Sequence, residues 1–278
     1  MSLFIASLNS GSNGNCYYIG SEDEAILVDA GISCRETEKR MKRLGLSMEK
    51  VKAIFVSHEH SDHITGIPVL AKKYQLPVYI TEGTQVHGRL LLEQHLVIPF
   101  QAHEPIYIGR LSVTPFPKFH DACDPHSFIV ASTSVKVGIF TDIGIACANV
   151  IRHFQQCHAA FLEANYDEDM LSQGTYPYYL KKRIMSEMGH LSNSQALQLV
   201  IAHKPSFMSH LLLSHLSKNN NCPKLVRDLF IEHAGRTQII VASRYKETPV
   251  YHISNKIMPN SHIKKTHDKQ AESQLSLF

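Results

Sequence analysis

Net charge is nearly absent from this 278-residue chain: 28 basic residues stand against 25 acidic ones, a formal charge of +3. Such a balance announces no polyanion binder, although it forbids none. The six cysteines, Cys16, Cys34, Cys123, Cys147, Cys157 and Cys222, include no C-x-x-C pair. A disulfide framework or a thiolate zinc site is therefore not expected. No apolar run reaches membrane-spanning length, and Met1 to Asn9 is too short, and lacks the basic start, for a secretion signal. These absences together predict a cytoplasmic protein. No repeat of fixed period is present. With 44% hydrophobic residues the chain can bury one large core and still leave a tail.

Histidine, by contrast, is plentiful at 18 residues, and three of them crowd one stretch. Ser57-His58-Glu59-His60-Ser61-Asp62-His63 follows the apolar run Val51 to Val56, which reads as a buried strand running out into a loop. Residues two apart in an extended segment point the same way. His58 and His60 can thus face one ion, while the next turn swings Asp62 and His63 towards a second. Neutral imidazole and carboxylate suit a borderline divalent metal, and crowding such groups without a partner is costly.

Around this stretch the chain reads as an opening β meander (3–8, 16–19, 25–29), with a polar turn at Asn9 to Asn15. An amphipathic helix follows over 33–44, capped by Ser33 and ended by Gly45. After the histidine loop come a helix over about 64–74, a strand at 77–80 and a helix over 82–93. Strands at 106–108, 111–117, 127–131 and 135–140 lead to a helix ending near 156, then to a strand at 159–164. Ser192 to Gln195 forms a capping box, with His190 at the start of that helix, where anions are held. A strand at 208–213, a helix at 223–233 and strands at 237–242 and 250–253 close the expected domain, 1–258. Residues 259–278 are polar, with Lys264, Lys265, Asp268 and Lys269, and read as a flexible tail.

The run His58-x-His60-x-Asp62-His63 resembles the signature of the metallo-β-lactamase superfamily of dinuclear metallohydrolases. That resemblance implies an α+β fold, the αββα four-layer sandwich, and tells where further ligands belong. His120, in Lys118-Phe119-His120-Asp121, is implied as the third ligand of the first metal; His126 is its rival. Asp142, in Thr141-Asp142-Ile143-Gly144, matches the carboxylate shared by both metals. His215, in Ser214-His215-Leu216-Ser217, completes the second site with Asp62 and His63. Asp29 resembles the acidic residue that orients the ligand loop by hydrogen bonds, though a helix N-terminal Asp reads equally well. Two divalent ions, Zn²⁺ or Mn²⁺ with Fe a third option, would acidify a bridging water and clamp the attacked centre. Flavo-diiron oxidoreductases of this fold carry Glu at the second His of the signature, whereas His60 here points to hydrolysis.

The chain up to about residue 255 is similar to the YycJ/WalJ family of bacterial 5′-to-3′ DNA exonucleases. The similarity is carried by Ser10 to Cys16, His58 to His63, His120-Asp121-Ala122, Thr141 to Gly144, Glu163 to Asp167, Tyr176-Pro177, Leu180 to Ile184, Gly189 to Asn193 and His215 to Asn220. It implies a metal-dependent phosphodiesterase working on double-stranded DNA in replication-linked mismatch repair, with Asp62, Asp142 and His190 catalytic. His190 would hold the scissile phosphate or protonate the leaving oxygen. Asn15, Asn165, Lys181 and Arg183 are the expected substrate contacts, the last two among Tyr176, Tyr178 and Tyr179 on a basic and aromatic face. An RNA-processing nuclease of the RNase Z type, or a thioester or lactam hydrolase, are the alternatives. Finally, Gln274-Leu275-Ser276-Leu277-Phe278 resembles the bacterial sliding-clamp binding motif, with Gln274, Leu275, Leu277 and Phe278 as anchors; a tail folded back on its own domain is the other reading.

Overall fold

Each half of the chain starts as an antiparallel meander and ends as a parallel sheet, because short turns give way to helical crossovers. The structure, a computed structural model, describes residues 1–255; the expected tail and its terminal motif lie outside them. In the first half β1 (Leu3–Asn9), β2 (Cys16–Gly20) and β3 (Ala25–Val28) run antiparallel. Parallel strands β4 (Val51–Phe55), β5 (Val78–Tyr79) and β6 (Val97–Ile98) follow. The crossovers are α1 (Cys34–Arg43), then α2 (Ser61–Ile64) with α3 (Ile67–Tyr74), then α4 (Glu82–His87).

The second half repeats the plan. Strands β7 (Ile106–Ile108), β8 (Leu111–Pro117), β9 (His126–Ala131) and β10 (Lys136–Phe140) form the meander. Strands β11 (Ala159–Glu163), β12 (His210–Ser214) and β13 (Gln238–Val241) extend it in parallel. Between them lie α5 (Ala148–Phe154), the group α6 (Glu168–Gln173), α7 (Tyr178–Ile184) and α8 (Asn193–His203), and α9 (Pro223–Ile231). A last strand, β14 (Tyr251–Ile253), returns to pair with β1. Two seven-stranded sheets result.

Strand alternation sorts their side chains into two cores per sheet. On β11, Ala159 and Phe161 face the space between the sheets, where Tyr17, Ile19, Phe55 and Phe128 meet them. Ala160 and Leu162 face outward, under α5, α8 and α9. The first sheet does the same, with Leu27 and Ile54 packed under α1 and α3. Helices thus cover both outer faces, and the expected αββα sandwich is what forms.

Two expected helices are shorter than their patterns suggest. The one over 64–74 breaks at Thr65 and Gly66, where Gly66 N–H donates to Ala30 O at 2.8 Å, and Pro68 restarts it near the N-terminus of α3. The one over 82–93 stops at His87, because Gly88 caps it and Arg89 turns to φ 49°. Strand β6 and helix α6 are too short to show a period in the sequence.

Candidate metal centre

Strands β1, β3, β4, β8, β10, β12 and β13 all end at one rim, following from their pairings. Crevices beyond the carboxyl ends of parallel strands are where such sheets bind ligands. The loop after β4 brings His58, His60, Asp62 and His63 to that rim; the loops after β8, β10 and β12 bring His120, Asp142 and His215. Residues separated by more than 150 positions thereby meet. His60 Nδ1 lies 3.1 Å from His58 Nε2 and 3.3 Å from His120 Nε2. Asp62 Oδ2 lies 3.4 Å from His215 Nε2 and 3.5 Å from His63 Nε2. Asp142 reaches both groups: Oδ2 is 3.2 Å from His63 Nε2 and Oδ1 is 3.9 Å from His120 Nε2.

Holding these donors demands unusual backbone. Asp29, Asp142 and His215, each just past a strand, sit at φ 59°, 54° and 56°, a left-handed region that side chains seldom occupy outside functional sites. Gly31 shows how closely the backbone passes. A Cβ there would lie 1.7 Å from the Asp62 carbonyl oxygen, so only glycine fits beneath the ligand loop.

The second nitrogen of each buried imidazole is already engaged. His58 Nδ1 meets Ser57 Oγ at 2.9 Å, His63 Nδ1 meets Asp29 Oδ2 at 2.7 Å, and His120 Nδ1 meets Gly189 O at 3.0 Å. His215 Nδ1 meets Glu163 Oε1 at 3.0 Å. Partners of this kind fix ring orientation and leave Nε2 for an ion. Asp29 also accepts from Ser57, whose N–H and Oγ donate to its two oxygens, each at 2.8 Å.

Charge across the site is lopsided. Burial pushes His58 well below the ordinary imidazole range and takes His120 down to about 3, so both are neutral donors. Burial acts the same way on His63, but Asp142, Asp29 and Asp62 outweigh it and raise that imidazole to about 10. His215 is likewise raised well above its usual value, against burial, by Asp142 and by its contacts with Asp62 and Glu163. Burial would lift Asp62, yet His63 and His215 hold it at about 2. The Asp142 Oδ2 atom is buried without a well-formed hydrogen bond. Neutral imidazoles at His58 and His120, carboxylates at Asp62 and Asp142, and an orphaned carboxylate oxygen are compatible with a metal site. The residues fit the group.

Two buried residues to which the sequence reading gave no role, Glu163 and Lys118, adjoin the donors. Glu163, at the end of β11, is fully buried and held at about 2: burial opposes ionisation, but His190 prevails. Its Oε1 contacts His190 Nδ1 at 2.8 Å as well as His215, and Oε2 accepts from Ile143 N–H at 2.7 Å. An acid closing an otherwise apolar strand was the available signal. Lys118 is buried too, and its Nζ donates to Thr141 O at 2.7 Å, bracing the turn that presents Asp142.

A cleft of about 230 Å³ opens over the donors, lined by His60, Asp62, Asp142, His190, His215 and Asn165 together with Arg183, Leu180 and Ile184 of α7. His190 therefore faces the cleft with Nδ1 engaged and Nε2 available. Arg183 pairs with Asp121. Asn15 sits behind the donors, buried, with Nδ2 3.0 Å from both Asp62 Oδ2 and His63 Nε2. Asn165 donates to His215 O at 2.8 Å. Lys181 Nζ turns away to Ser172 O at 2.7 Å, and Tyr178 and Tyr179 stand exposed on the same helix. His126 lies apart from the donors: its Nδ1 meets Asp124 O at 3.0 Å, and its ring packs against Phe100.

Residues 24–215 match the family model described as the beta-lactamase superfamily domain. Exodeoxyribonuclease YycJ of Bacillus anthracis is 35% identical over 82% of this chain and 87% of its own length. This chain belongs to the YycJ/WalJ family of the metallo-β-lactamase superfamily. Exodeoxyribonuclease WalJ of Streptococcus pneumoniae, another member, is 29% identical over 86% of this chain and 91% of its own. The fold recurs in the metallo-β-lactamase fold protein YhfI from Bacillus subtilis, with a TM-score of 0.71 at 18% identity over 91% of this chain and all of that one. This YycJ/WalJ-family chain is a hydrolase. Among its described residues no helix is long and apolar enough to cross a membrane.

Proposed function

We propose that this protein is a metal-dependent exodeoxyribonuclease that removes nucleotides from DNA ends in the 5′-to-3′ direction, in the cytoplasm and in replication-linked mismatch repair. One observation carries the reading: two groups of donors, His58, His60 and His120, and Asp62, His63 and His215, flank Asp142, which lies 3.9 Å from His120 and 3.2 Å from His63, in a cleft walled by α7. Two divalent ions are the occupants proposed for them, Zn²⁺ or Mn²⁺, with Fe the third option. When bound, such ions supply Lewis-acid polarisation of a phosphoryl group and acidify water at neutral pH.

The chain's own residues do the rest. Glu163 holds His190 by Nδ1, leaving Nε2 to bond the scissile phosphate or pass a proton to the leaving 3′ oxygen. Asp29, Ser57 and Asn15 keep His58, His63 and Asp62 in place. Arg183, with Tyr176, Tyr178 and Tyr179, offers backbone phosphates a cation and end bases a stacking face, and Lys181 adds a second cation on leaving Ser172 O. Asn165 lines the cleft beside His215. For the tail we propose that Gln274, Leu275, Leu277 and Phe278 anchor a sliding clamp, raising the local concentration of enzyme at clamp-loaded DNA.

End-labelled duplex DNA and matched RNA, with added Mn²⁺ or Zn²⁺, test the activity. Stepwise loss of nucleotides from 5′ ends of DNA is expected, and Asp142→Ala abolishes it. Cleavage of RNA alone overturns the DNA assignment. Deleting residues 274–278 should remove clamp co-elution while sparing activity on free ends.

A further inference from the structure

The loop between β1 and β2 touches the centre at one end and a cation at the other. Asn15 meets Asp62 and His63, as above, and Ser12 lines the cleft beside Asp142 and His190. On the far side of Ser12 lies Arg244, from the loop after β13. Its Nη2 donates to Ser12 Oγ at 2.8 Å. The two loops are joined by backbone as well: Ser10 N–H donates to Ser243 O at 3.2 Å, and Asn13 Nδ2 donates to Arg244 O at 3.0 Å. Gly11 lets the side chain lie flat, since a Cβ there would stand 2.9 Å from Nη2 and at φ 145° is unfavourable for other residues.

Arg244 has donors to spare. Its Nε is buried with no hydrogen-bond partner. The acids nearby are committed elsewhere: Glu247 to Arg43 at 2.6 Å and Glu36 to Arg40 at 2.8 Å. Arg40 itself is occupied by Leu8 O and Asn9 Oδ1. Among the described residues Arg244 has no carboxylate partner in any ion pair. Tyr245 and Lys246 beside it are exposed. A guanidinium held in one orientation, with unused donors, next to a hydroxyl on a cleft wall, is built to receive a tetrahedral oxyanion.

We propose that Arg244 and Ser12 form a phosphate subsite of the cleft, on a wall separate from α7, which takes one phosphate of the nucleic-acid strand. The proposal rests on the nuclease reading above. A terminal 5′-phosphate and an internal phosphodiester share the chemistry, and substrate ends distinguish them.

The test uses the full metal-loaded chain on duplexes whose terminal linkages are non-hydrolysable, so that binding is read without turnover. Fluorescence anisotropy compares wild type, Arg244→Gln and Arg244→Lys on duplexes that differ only in a 5′-phosphate or 5′-hydroxyl, across a salt series. Arg244→Gln should weaken binding about tenfold and lower the slope of log affinity against log salt by about one, while Arg244→Lys keeps most of that slope. KM for cleavage should rise in step with kcat little changed. Loss confined to the 5′-phosphate duplex assigns the subsite to the terminal group, and equal loss on both assigns it to an internal one. Unchanged affinity and slope on both duplexes overturns the subsite. Should Arg244→Gln not fold, Arg244→Met, which keeps the aliphatic stem over Gly11, takes its place under the same criteria. Wild type that neither binds nor cleaves DNA sinks the nuclease reading instead, so the two failures look different.

Discussion

Asp29 Oδ2 lies 2.7 Å from His63 Nδ1, with both groups fully buried, Asp29 just past β3 and His63 on α2 beyond the neighbouring parallel strand β4. The same carboxylate holds Ser57, so one side chain aligns the strand end, the loop and an inward-facing imidazole. Replacing it by Asn keeps a residue that tolerates the left-handed backbone but removes the charge. Asp29→Asn should bind Zn²⁺ or Mn²⁺ about 10- to 100-fold more weakly, measured by competition with a chromophoric chelator. Wild-type affinity would show that orientation at His63 comes from packing alone.

Glu163 supports His190 and His215 together. Glu163→Gln should lower kcat for DNA cleavage about a hundredfold, within the range for losing acid–base assistance, with KM changed less than about threefold. Metal content is measured alongside, and a rate loss that merely tracks lost metal would remove His190 from the chemistry.

The metal-free site carries protons that an ion must displace. His63, raised to about 10 by its carboxylate neighbours against burial, is protonated at pH 8, and His215 is shifted in the same direction. Filling the site at pH 8 should therefore release at least about one proton per chain, read by calorimetry in buffers of differing ionisation enthalpy. Binding tightens as pH rises towards 10. The metal-free fold behaves oppositely. His63 has a raised folded value, so its contribution to stability is complete below the unfolded imidazole range, about 6.5, and disappears as pH climbs through about 10. Asp62 and Glu163, both held at about 2, contribute above the ordinary carboxyl range and lose that contribution as pH falls towards 2. Melting temperature of chelated protein should peak between these windows. Proton release near zero would mean that His63 and His215 are neutral before any ion arrives.

Phe161 is fully buried between the sheets, its ring centroid 4.9 Å from that of Tyr17. Phe161→Ala leaves a cavity that neither sheet can collapse into, at a cost of about 3–5 kcal/mol in urea denaturation. A loss under about 1 kcal/mol would mean that the inter-sheet layer is loosely packed.

What could be read from the sequence follows how far apart the cooperating residues lie. His58 to His63 declare themselves because six consecutive positions hold four donors, and resemblance then supplies His120, Asp142 and His215. Ser33 and the Ser192–Gln195 box mark their helices because capping is local, and both caps are present. Glu163 is harder. Its meaning depends on His190 and His215, 27 and 52 positions away, and an acid after a strand is common. Arg244 is harder still, since its partner Ser12 is 232 positions distant. The surroundings of Asn15 and Lys181 are set by tertiary hydrogen bonds, to Asp62 and to Ser172 O, that no local pattern announces. The break at Gly66 has the same origin: Ala30 O competes for its N–H.

The donors come from both sheets, with His58, His60, Asp62 and His63 on one side and His120, Asp142 and His215 on the other. The His58–His60–His120 group and the Asp62–His63–His215 group each draw donors from both halves. Any cation seated at the rim acts as a bolt through the sandwich, and stripping it loosens the join between the halves before either half unfolds. Hydrogen exchange on chelation should therefore quicken first at the strand ends along that join, leaving the outer helices as slow as before.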